Sequence, residues 1–363
     1  MNRSEKVLIV GAGPTGLTAA CEFARRGIIP IVIDKRDGPS TLSRAVGINA
    51  KSLSLLEAAG VTDRLIDSGI KVSEGAVHLG FEKMFSIRTD LAPKPYNFLL
   101  ALPQDKTESV LAERFRELGG EIRYRNEFTG LSGAPEKPVA RLRKGGSDLV
   151  EESEFDVIFG CDGIGSRVRS ALEIPFDGKT LEGEWGVADV EAVAPEFADR
   201  ASVYILGRNL ARIIIPIAKE RYRIVGSSEN PLENLPVGFA VGKVNRTATF
   251  RIQVRQAETY QKGKVFIGGD AAHCHSPVGG RGMNLGMDDA CTFVDLITGG
   301  MEERYSELRI PVGRRTIRIT EFGRRMALSD TFISRFGIRR VMPMLLGSKW
   351  IGRAFAGFVL DNP

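Results

Sequence analysis

The first thirty-four residues leave the chain little freedom of fold. Val7–Val10 is a short, wholly apolar run, and Gly11-Ala12-Gly13-Pro14-Thr15-Gly16 follows it. A helical pattern then extends to about Arg26, Gly27 ends it, and Ile29–Ile33 forms a second apolar run closing on Asp34. Strand, glycine turn, helix and strand in that order are a βαβ unit, the opening of a Rossmann-like α/β domain. Each glycine of the G-x-G-x-x-G pattern has its own duty. Gly11 makes the tight turn, Gly13 lets a pyrophosphate approach, and Gly16 allows the helix to pack closely on the strand. Pro14 and Thr15 open a helix whose free N–H groups and dipole favour phosphate. Asp34 would accept hydrogen bonds from a ribose, and Lys35 and Arg36 beside it would suit additional phosphate contacts. The motif specifies a dinucleotide and leaves open which one.

The run Gly269–Ala290, GDAAHCHSPVGGRGMNLGMDDA, narrows that choice. It follows the apolar strand Val265–Ile267 and leads into a helix in which Met283, Met287, Ala290, Val294 and Ile297 recur at helical spacing. A loop with Gly279, Gly280 and Gly282 allows backbone to approach a flat ligand. The helix behind it presents unpaired N–H groups and a positive dipole end. Such an end suits a planar electron acceptor that becomes anionic on reduction, and flavin is such a ring. Asp270 would then accept from ribityl hydroxyls, Pro277 would pack near the ring, and Gly282, Met283 and Asn284 would offer backbone amides to its pyrimidine edge. His273, Cys274 and His275 raise a zinc reading. Adjacent residues do not readily supply a tetrahedral set and no second Cys/His pair exists, so no metal is expected and His273 is read as a hydrogen-bonding residue.

A third segment, Cys161-Asp162-Gly163 with Gly165, Ser166 and Arg167, follows the buried strand Asp156–Phe159. Asp162 either holds a ligand hydroxyl and orients backbone amides, or caps the next helix as part of an ordinary β–α turn. Other helices are expected after Asn49, as N-cap with Gly60 as terminator, and over about Thr107–Leu118. From about 180 to 256 the texture changes to Ser202–Leu206, Leu210–Ile217 and Tyr222–Val225, strands joined by short turns, an antiparallel meander. Discontinuous domains follow: residues 1–72, 98–178 and 262–330 for the nucleotide, 73–97 and 179–261 for a β-sheet domain, and 331–363 as a helical tail.

Composition removes several function classes. Lys and Arg exceed Asp and Glu by only 50 to 45 and are dispersed, so nucleic acid is not an expected partner. Cys21, Cys161, Cys274 and Cys291 have no framework spacing and read as reduced thiols of a cytoplasmic protein. The N-terminus enters a strand without a signal peptide, and no apolar run is long enough to span a bilayer. The tail Phe332–Val359 mixes Arg335, Arg339, Arg340, Lys349 and Arg353 with apolar residues and Trp350. It reads as a helix packed over the nucleotide domain or a dimer contact, in preference to a helix lying in a membrane interface. The chain is compatible with a monomer or a homodimer.

The three segments, in this order and at these separations, resemble the class A flavoprotein monooxygenases, the para-hydroxybenzoate hydroxylase-like family, over about Val7 to Arg325. Ser43-Arg44-Ala45 is similar to the family's flavin-contacting arginine segment, and Leu102-Pro103-Gln104 to its glutamine segment. The resemblance implies an α/β fold with a GR2-type, Rossmann-like FAD-binding domain, an antiparallel-sheet substrate domain and a C-terminal helical segment. It implies FAD as cofactor, with Arg44, Gln104, Asp270, Pro277, Gly280 and Gly282–Asn284 in contact with it. Asp162 and Gly163 fall in the fingerprint linked to FAD and nicotinamide. It further implies NADPH or NADH as transient co-substrate, dioxygen, and hydroxylation of a small aromatic, phenolic or polycyclic, through a flavin hydroperoxide. Arg212 and Tyr204 on the meander are the candidates to meet a substrate carboxylate or phenol. Asp34 stands where the family more often has Glu, and Arg281 places a charge near the ring. A reductase or dehydrogenase of the same fold and a non-catalytic flavoprotein partner are the alternatives.

Overall fold

Four apolar residues in a row can be buried on both faces only at the centre of a covered sheet, and Val7–Val10 sits there. In the computed structural model, which describes residues 5–40, 45–207, 209–329 and 331–361, it pairs in parallel with Ile31–Asp34 on one side and Val157–Gly160 on the other. Ile122–Tyr124 and Val265–Ile267 extend this sheet in parallel, and Gln261–Lys262 closes one edge antiparallel. The helices Pro14–Arg25, Gln104–Glu117 and Gly282–Gly299 bury their apolar faces in one core with it.

Local signals explain where these helices stop and start. Gly27, at φ 82°, follows the first helix. The Asn49 Oδ1 accepts from the Ser52 amide at 2.9 Å, capping Ala50–Leu56, and Gly60 at φ 70° ends the short turn that continues it. The helix expected from Thr107 begins at Gln104, immediately after Pro103.

The second sheet has seven strands in the order Val241–Phe250, Trp185–Ala192, Arg221–Gly226, Leu210–Ala218, Arg200–Gly207, Glu74–Leu79, Glu82–Arg88. All pairs are antiparallel except Arg200–Gly207 with Glu74–Leu79. The meander thus forms as expected, and its tight turns place Asn209 at φ 59° and Glu220 at φ 56°. The stretch 73–97, irregular by sequence, supplies two further strands. A three-stranded antiparallel unit, Asn126–Ser132, Val139–Lys144 and Val150–Glu154, was not expected from sequence. Its outer strand carries Glu151, Glu152 and Glu154 in exposed positions and buries too little to show a pattern.

The helix Tyr305–Leu328 runs from the first sheet to the second, where Leu328 packs with Trp185 and Ala211. The tail continues as helical segments Phe332–Phe336, Gly337–Val341, Met342–Gly347 and Lys349–Leu360. Ile338 packs on Leu79 and Ile205 of the seven-stranded sheet, and Ala356 and Leu360 pack on Ala50 and Ala92. Among the described residues no helix is long and apolar enough to cross a membrane.

Candidate functional site

At the first helix the three glycines separate by cause. Gly11 holds φ 110°, and a Cβ there would lie 2.4 Å from the Cys161 carbonyl oxygen; one at Gly16 would lie 2.0 Å from the Gly11 oxygen. Both positions are closed by the protein itself. Gly13 is different: its backbone is ordinary and extended, and a Cβ would meet nothing within 4 Å. Nothing inside the chain requires glycine at 13, and the surface it leaves bare is the N-terminus of a helix. Gly165 is open in the same way.

Asp34 lies at the end of its strand and is buried. Its Oδ2 accepts from the Ala12 amide at 2.8 Å and from Arg36 Nη2 at 2.9 Å; its Oδ1 accepts from the Arg36 amide at 2.9 Å and Arg36 Nε at 3.0 Å. Burial acts to raise its pKa, and the Arg36 contacts outweigh it and hold the carboxyl below the usual range. Four donors fill the lone-pair sites of a carboxylate. A ribose hydroxyl therefore has to take the place of an Arg36 contact. Arg36, read from sequence as a phosphate contact, is instead turned inward, with Nη1 3.2 Å from Glu108 Oε2; Lys35 is exposed. Glu108 also accepts from Gln104 Nε2 at 2.9 Å, and Gln104 Oε1 accepts from the Ala45 amide at 3.3 Å. This chain of contacts links the ribose end to the segment that contains Arg44, which itself lies outside the described residues. Glu108 was missed by sequence reading, although its i+4 spacing from Gln104 was a signal.

Asp162 performs the capping role and leaves one oxygen uncommitted. Its Oδ2 accepts from the amides of Arg167 at 2.7 Å and Val168 at 3.2 Å, the capping role. Its Oδ1 is buried and has no partner among the described residues, and burial raises its pKa. Gly163, at φ 83°, leaves open space beside it.

The helix Gly282–Gly299 is fixed to the first helix by a close interlock. A Cβ at Gly286 would lie 2.3 Å from Thr15 Oγ1, and one at Gly269 would lie 2.6 Å from the same atom. Thr15 therefore keys the two helices together through its side chain. The Asn284 side chain is likewise structural: it accepts from the Asn49 amide at 2.9 Å and donates to the carbonyls of Gly47 and Gly280. The helix ladder starts with the Leu285 amide on Arg281 O at 2.8 Å, so the amides of Gly282, Met283 and Asn284 lie ahead of it. Gly280 is open at φ 60°, its amide closing a turn on Pro277 O at 3.0 Å; Asp270 is exposed on the turn Gly269–Ala271.

Behind this loop lies a buried ionic network. His273 Nε2 is 2.6 Å from Asp289 Oδ2, which also accepts from the Gly269 amide at 2.9 Å. Asp289 Oδ1 accepts from Arg309 Nε at 2.6 Å, and Arg309 Nη1 reaches Asp288 Oδ2 at 3.1 Å. Burial pushes the Asp289 pKa up, but Arg309 and His273 prevail and bring it down to about 2. His275, beside Gly282, is lowered to about 4, chiefly by burial of its ring. Arg281 is buried without a carboxylate contact in its own loop. Its guanidinium donates to the carbonyls of Asp361 and Phe358 and stacks on the Phe358 ring at 4.8 Å. It adds a positive charge to the end of the helix where the dipole is already positive.

The seven-stranded sheet turns one face toward this end. Arg223, 1% exposed, donates to both Asp189 oxygens at 2.6 and 2.7 Å and to the Ala45 carbonyl at 3.2 Å. Arg246 stands opposite Asp189 in register, and Val187, Asp189, Arg223 and Arg246 line a small recess. Ile215 and Ile217 on the same sheet pack with Val46 and Ala101. Arg212 and Tyr204, the sequence candidates, are corrected by this geometry. Arg212 is fully buried and donates to the carbonyls of Glu233, Ala211 and Asn230 and to Ser228 Oγ. Tyr204 stacks on His78 at 4.3 Å and joins the core of Val190, Tyr222, Ile224 and Phe239 on the opposite face.

The donor set fits a flavin dinucleotide. Bare glycine at 13 and 165, an orphaned Asp162 oxygen, and a helix N-terminus next to a buried cation match pyrophosphate, sugar hydroxyls and a ring that gains negative charge. The FAD binding domain family matches residues 4–240 and 237–307. The chain is 32% identical over 345 residues to 6-methylpretetramide 4-monooxygenase of Streptomyces rimosus, covering 87% of this chain and 61% of that protein. It is 32% identical over 311 residues to pentachlorophenol 4-monooxygenase of Sphingobium chlorophenolicum, covering 78% and 56%. The chain thus spans about three fifths of these curated relatives. In fold it is similar to p-nitrophenol 4-monooxygenase of Pseudomonas putida DLL-E4, with a TM-score of 0.88 at 19% identity over 99% of both chains. The chain belongs to the FAD-binding domain family, in its para-hydroxybenzoate hydroxylase-like branch of class A flavoproteins, and its cofactor is FAD.

Proposed function

We propose that this protein is an NAD(P)H-consuming monooxygenase that hydroxylates a small aromatic substrate, phenolic or polycyclic. The observation that carries the reading is the inner face of the seven-stranded sheet, where a buried ion pair, Arg223 with Asp189, is bonded to Ala45 of the flavin-arginine segment. An apolar wall interrupted by a buried cation suits an aromatic ring bearing a phenolate or other acidic group. The named activities of the two relatives, on a pretetramide and on pentachlorophenol, agree with it.

FAD, when bound, supplies the transfer of electrons from NAD(P)H to dioxygen. The chain's own residues do the rest. Gly13 and the first-turn amides hold pyrophosphate, Asp34 and Glu108 face the ribose, and Asp270 takes a ribityl hydroxyl. The amides of Gly282–Asn284 and the Arg281 charge stabilise negative charge at the pyrimidine edge. Arg223 orients the substrate's acidic group, and Val187, beside it in the recess, helps keep water from the reacting face. We assign residues 73–97 and 179–261 to the substrate domain, residues 1–72, 98–178 and 262–330 to the FAD-binding domain, and 331–363 to a C-terminal helical tail. Four free thiols and reliance on NAD(P)H support a cytoplasmic protein.

The test is NADPH and NADH oxidation by the FAD-loaded protein, with and without a panel of phenols and polycyclic aromatics, peroxide being measured alongside. Stimulated oxidation with oxygen from labelled dioxygen in the product is expected. Turnover without label in any product would favour a reductase or dehydrogenase and overturn the proposal.

A further inference from the structure

We infer that the C-terminal segment 331–361 is a docking surface for a bilayer bearing anionic lipid, on which the protein lies without spanning it. The inward side of the segment is already fully used. Ile338 packs on Leu79 and Ile205, Ala356 and Leu360 pack on Ala50 and Ala92, and Asp361 and Phe358 are held by Arg281. A second apolar face remains outside. Phe332 is 82% exposed, Ile333 78%, Met344 81% and Trp350 80%, and Phe336 is exposed beside Phe332 with their rings stacked. In the helix Lys349–Leu360, Trp350, Arg353 and Ala354 lie on the exposed side. A helix apolar on two sides is covered by something else.

Charge decides what covers it. Between Thr331 and Leu360 the sequence has five cations and no Asp or Glu. Arg339, Arg340, Lys349 and Arg353 are exposed, and Arg335 is half-buried. The acids of neighbouring elements are engaged: Glu82 with Arg339 at 3.8 Å, Asp90 with Arg88 at 2.5 Å, Asp361 with Lys94 at 2.5 Å. The face therefore presents aromatic and aliphatic groups flanked by Arg340, Lys349 and Arg353, which are exposed and have no carboxylate partner among the described residues, the pattern of an interfacial helix. A second copy of the same face would bring like charges together and repel it. The segments are also short and broken at Ser348, whose backbone is extended, which suits lying in an interface.

The two tryptophans make a direct assay, because Trp185 is 6% exposed and Trp350 is the solvent-facing one. The FAD-loaded full chain is mixed with vesicles of phosphatidylcholine alone or with one third phosphatidylglycerol. Co-sedimentation and a blue shift of tryptophan emission are expected only with the anionic vesicles, and both should disappear in high salt. Arg340→Gln/Lys349→Gln/Arg353→Gln should weaken partitioning by about a hundredfold, at about fivefold per cation, and Trp350→Ser should abolish the blue shift. All four side chains are exposed, so circular dichroism should be unchanged. Equal binding to neutral vesicles, no binding to either, or a concentration-dependent blue shift without lipid together with a doubled mass would overturn the proposal. The last result would assign the face to a second copy. None of these readouts depends on turnover, so they stand apart from the proposed oxygenation.

Discussion

Gly286→Ala is the sharpest available test of how the FAD-binding halves are joined. An added Cβ would stand 2.3 Å from Thr15 Oγ1, 3.3 Å from Gly269 Cα and 3.5 Å from Thr15 Cβ. Ordinary carbon contacts begin near 3.5 Å, so roughly 1 Å of separation has to be found. It comes from a strained Thr15 rotamer, at about 0.5–1.5 kcal/mol, or from parting the two helices, an overpacking of about 1–3 kcal/mol. Alanine in a helix otherwise gains about 0.5–1 kcal/mol over glycine. The net expectation is a loss of about 1–2 kcal/mol in the wild-type background. Thr15→Ala removes the obstructing oxygen and leaves only the contacts at 3.3 and 3.5 Å, so in that background Gly286→Ala should be neutral or stabilising. Denaturant unfolding followed by circular dichroism measures the cycle, and FAD titration by flavin fluorescence should show affinity falling about tenfold in the single variant and recovering in the double. The same ΔΔG in both backgrounds would refute the interlock.

Asp289→Asn leaves Arg309 buried with half its compensation and should cost about 3–5 kcal/mol by urea unfolding. Because the Asp289 carboxyl is lowered to about 2, the network's contribution is complete above about pH 4 and is lost as pH falls toward 2; the same substitution should flatten that limb of a stability–pH curve. His275, lowered to about 4, is neutral in the fold. Its contribution is complete above about pH 6.5 and is lost as pH falls through 4, so melting temperature should decline across that window and His275→Gln should remove the decline. Arg223→Met should raise the KM for an acidic aromatic substrate about tenfold or more and, by leaving Asp189 without its bidentate partner, also lower melting temperature. Arg212→Met should lower melting temperature alone, through its orphaned carbonyl partners, while KM stays near wild type.

The cofactor side was legible because its determinants are backbone devices with fixed spacing. Gly11 and Gly16 are required by contacts of 2.4 and 2.0 Å with the protein's own backbone, Gly13 borders open space, and all three show as glycine at fixed offsets. Asn49 and Gly60 were legible for the same reason. Side-chain partners were less so. Nothing in the order Asp34-Lys35-Arg36 reveals that Arg36 folds back to fill the Asp34 carboxylate, since that depends on Glu108, seventy-two residues away. Thr15 read as a ligand contact because its neighbours at Gly269 and Gly286 come from the far end of the chain.

The substrate side was illegible for a different reason. Strand parity is readable when one face of a sheet is wet, because polar and apolar residues then alternate. Here both faces are covered. Val190, Tyr204, Tyr222 and Ile224 pack in one core, and Ile215, Ile217, Val225 and Ile205 pack on the other side against Val46, Ala211, Leu328 or Ile338. Arg-Tyr-Arg-Ile-Val-Gly is then consistent with either parity, and an arginine on the wrong face looks the same as one on the right face. What distinguishes them is the acceptor. Arg212 ends on carbonyls of the nearby loop at Asn230 and Glu233, whereas Arg223 ends on Asp189 and on Ala45, far away in sequence. A cation that joins the seven-stranded sheet to the segment before Gly47–Ile48 is a contact between distant parts of the sequence, and that relation exists only once the chain has folded.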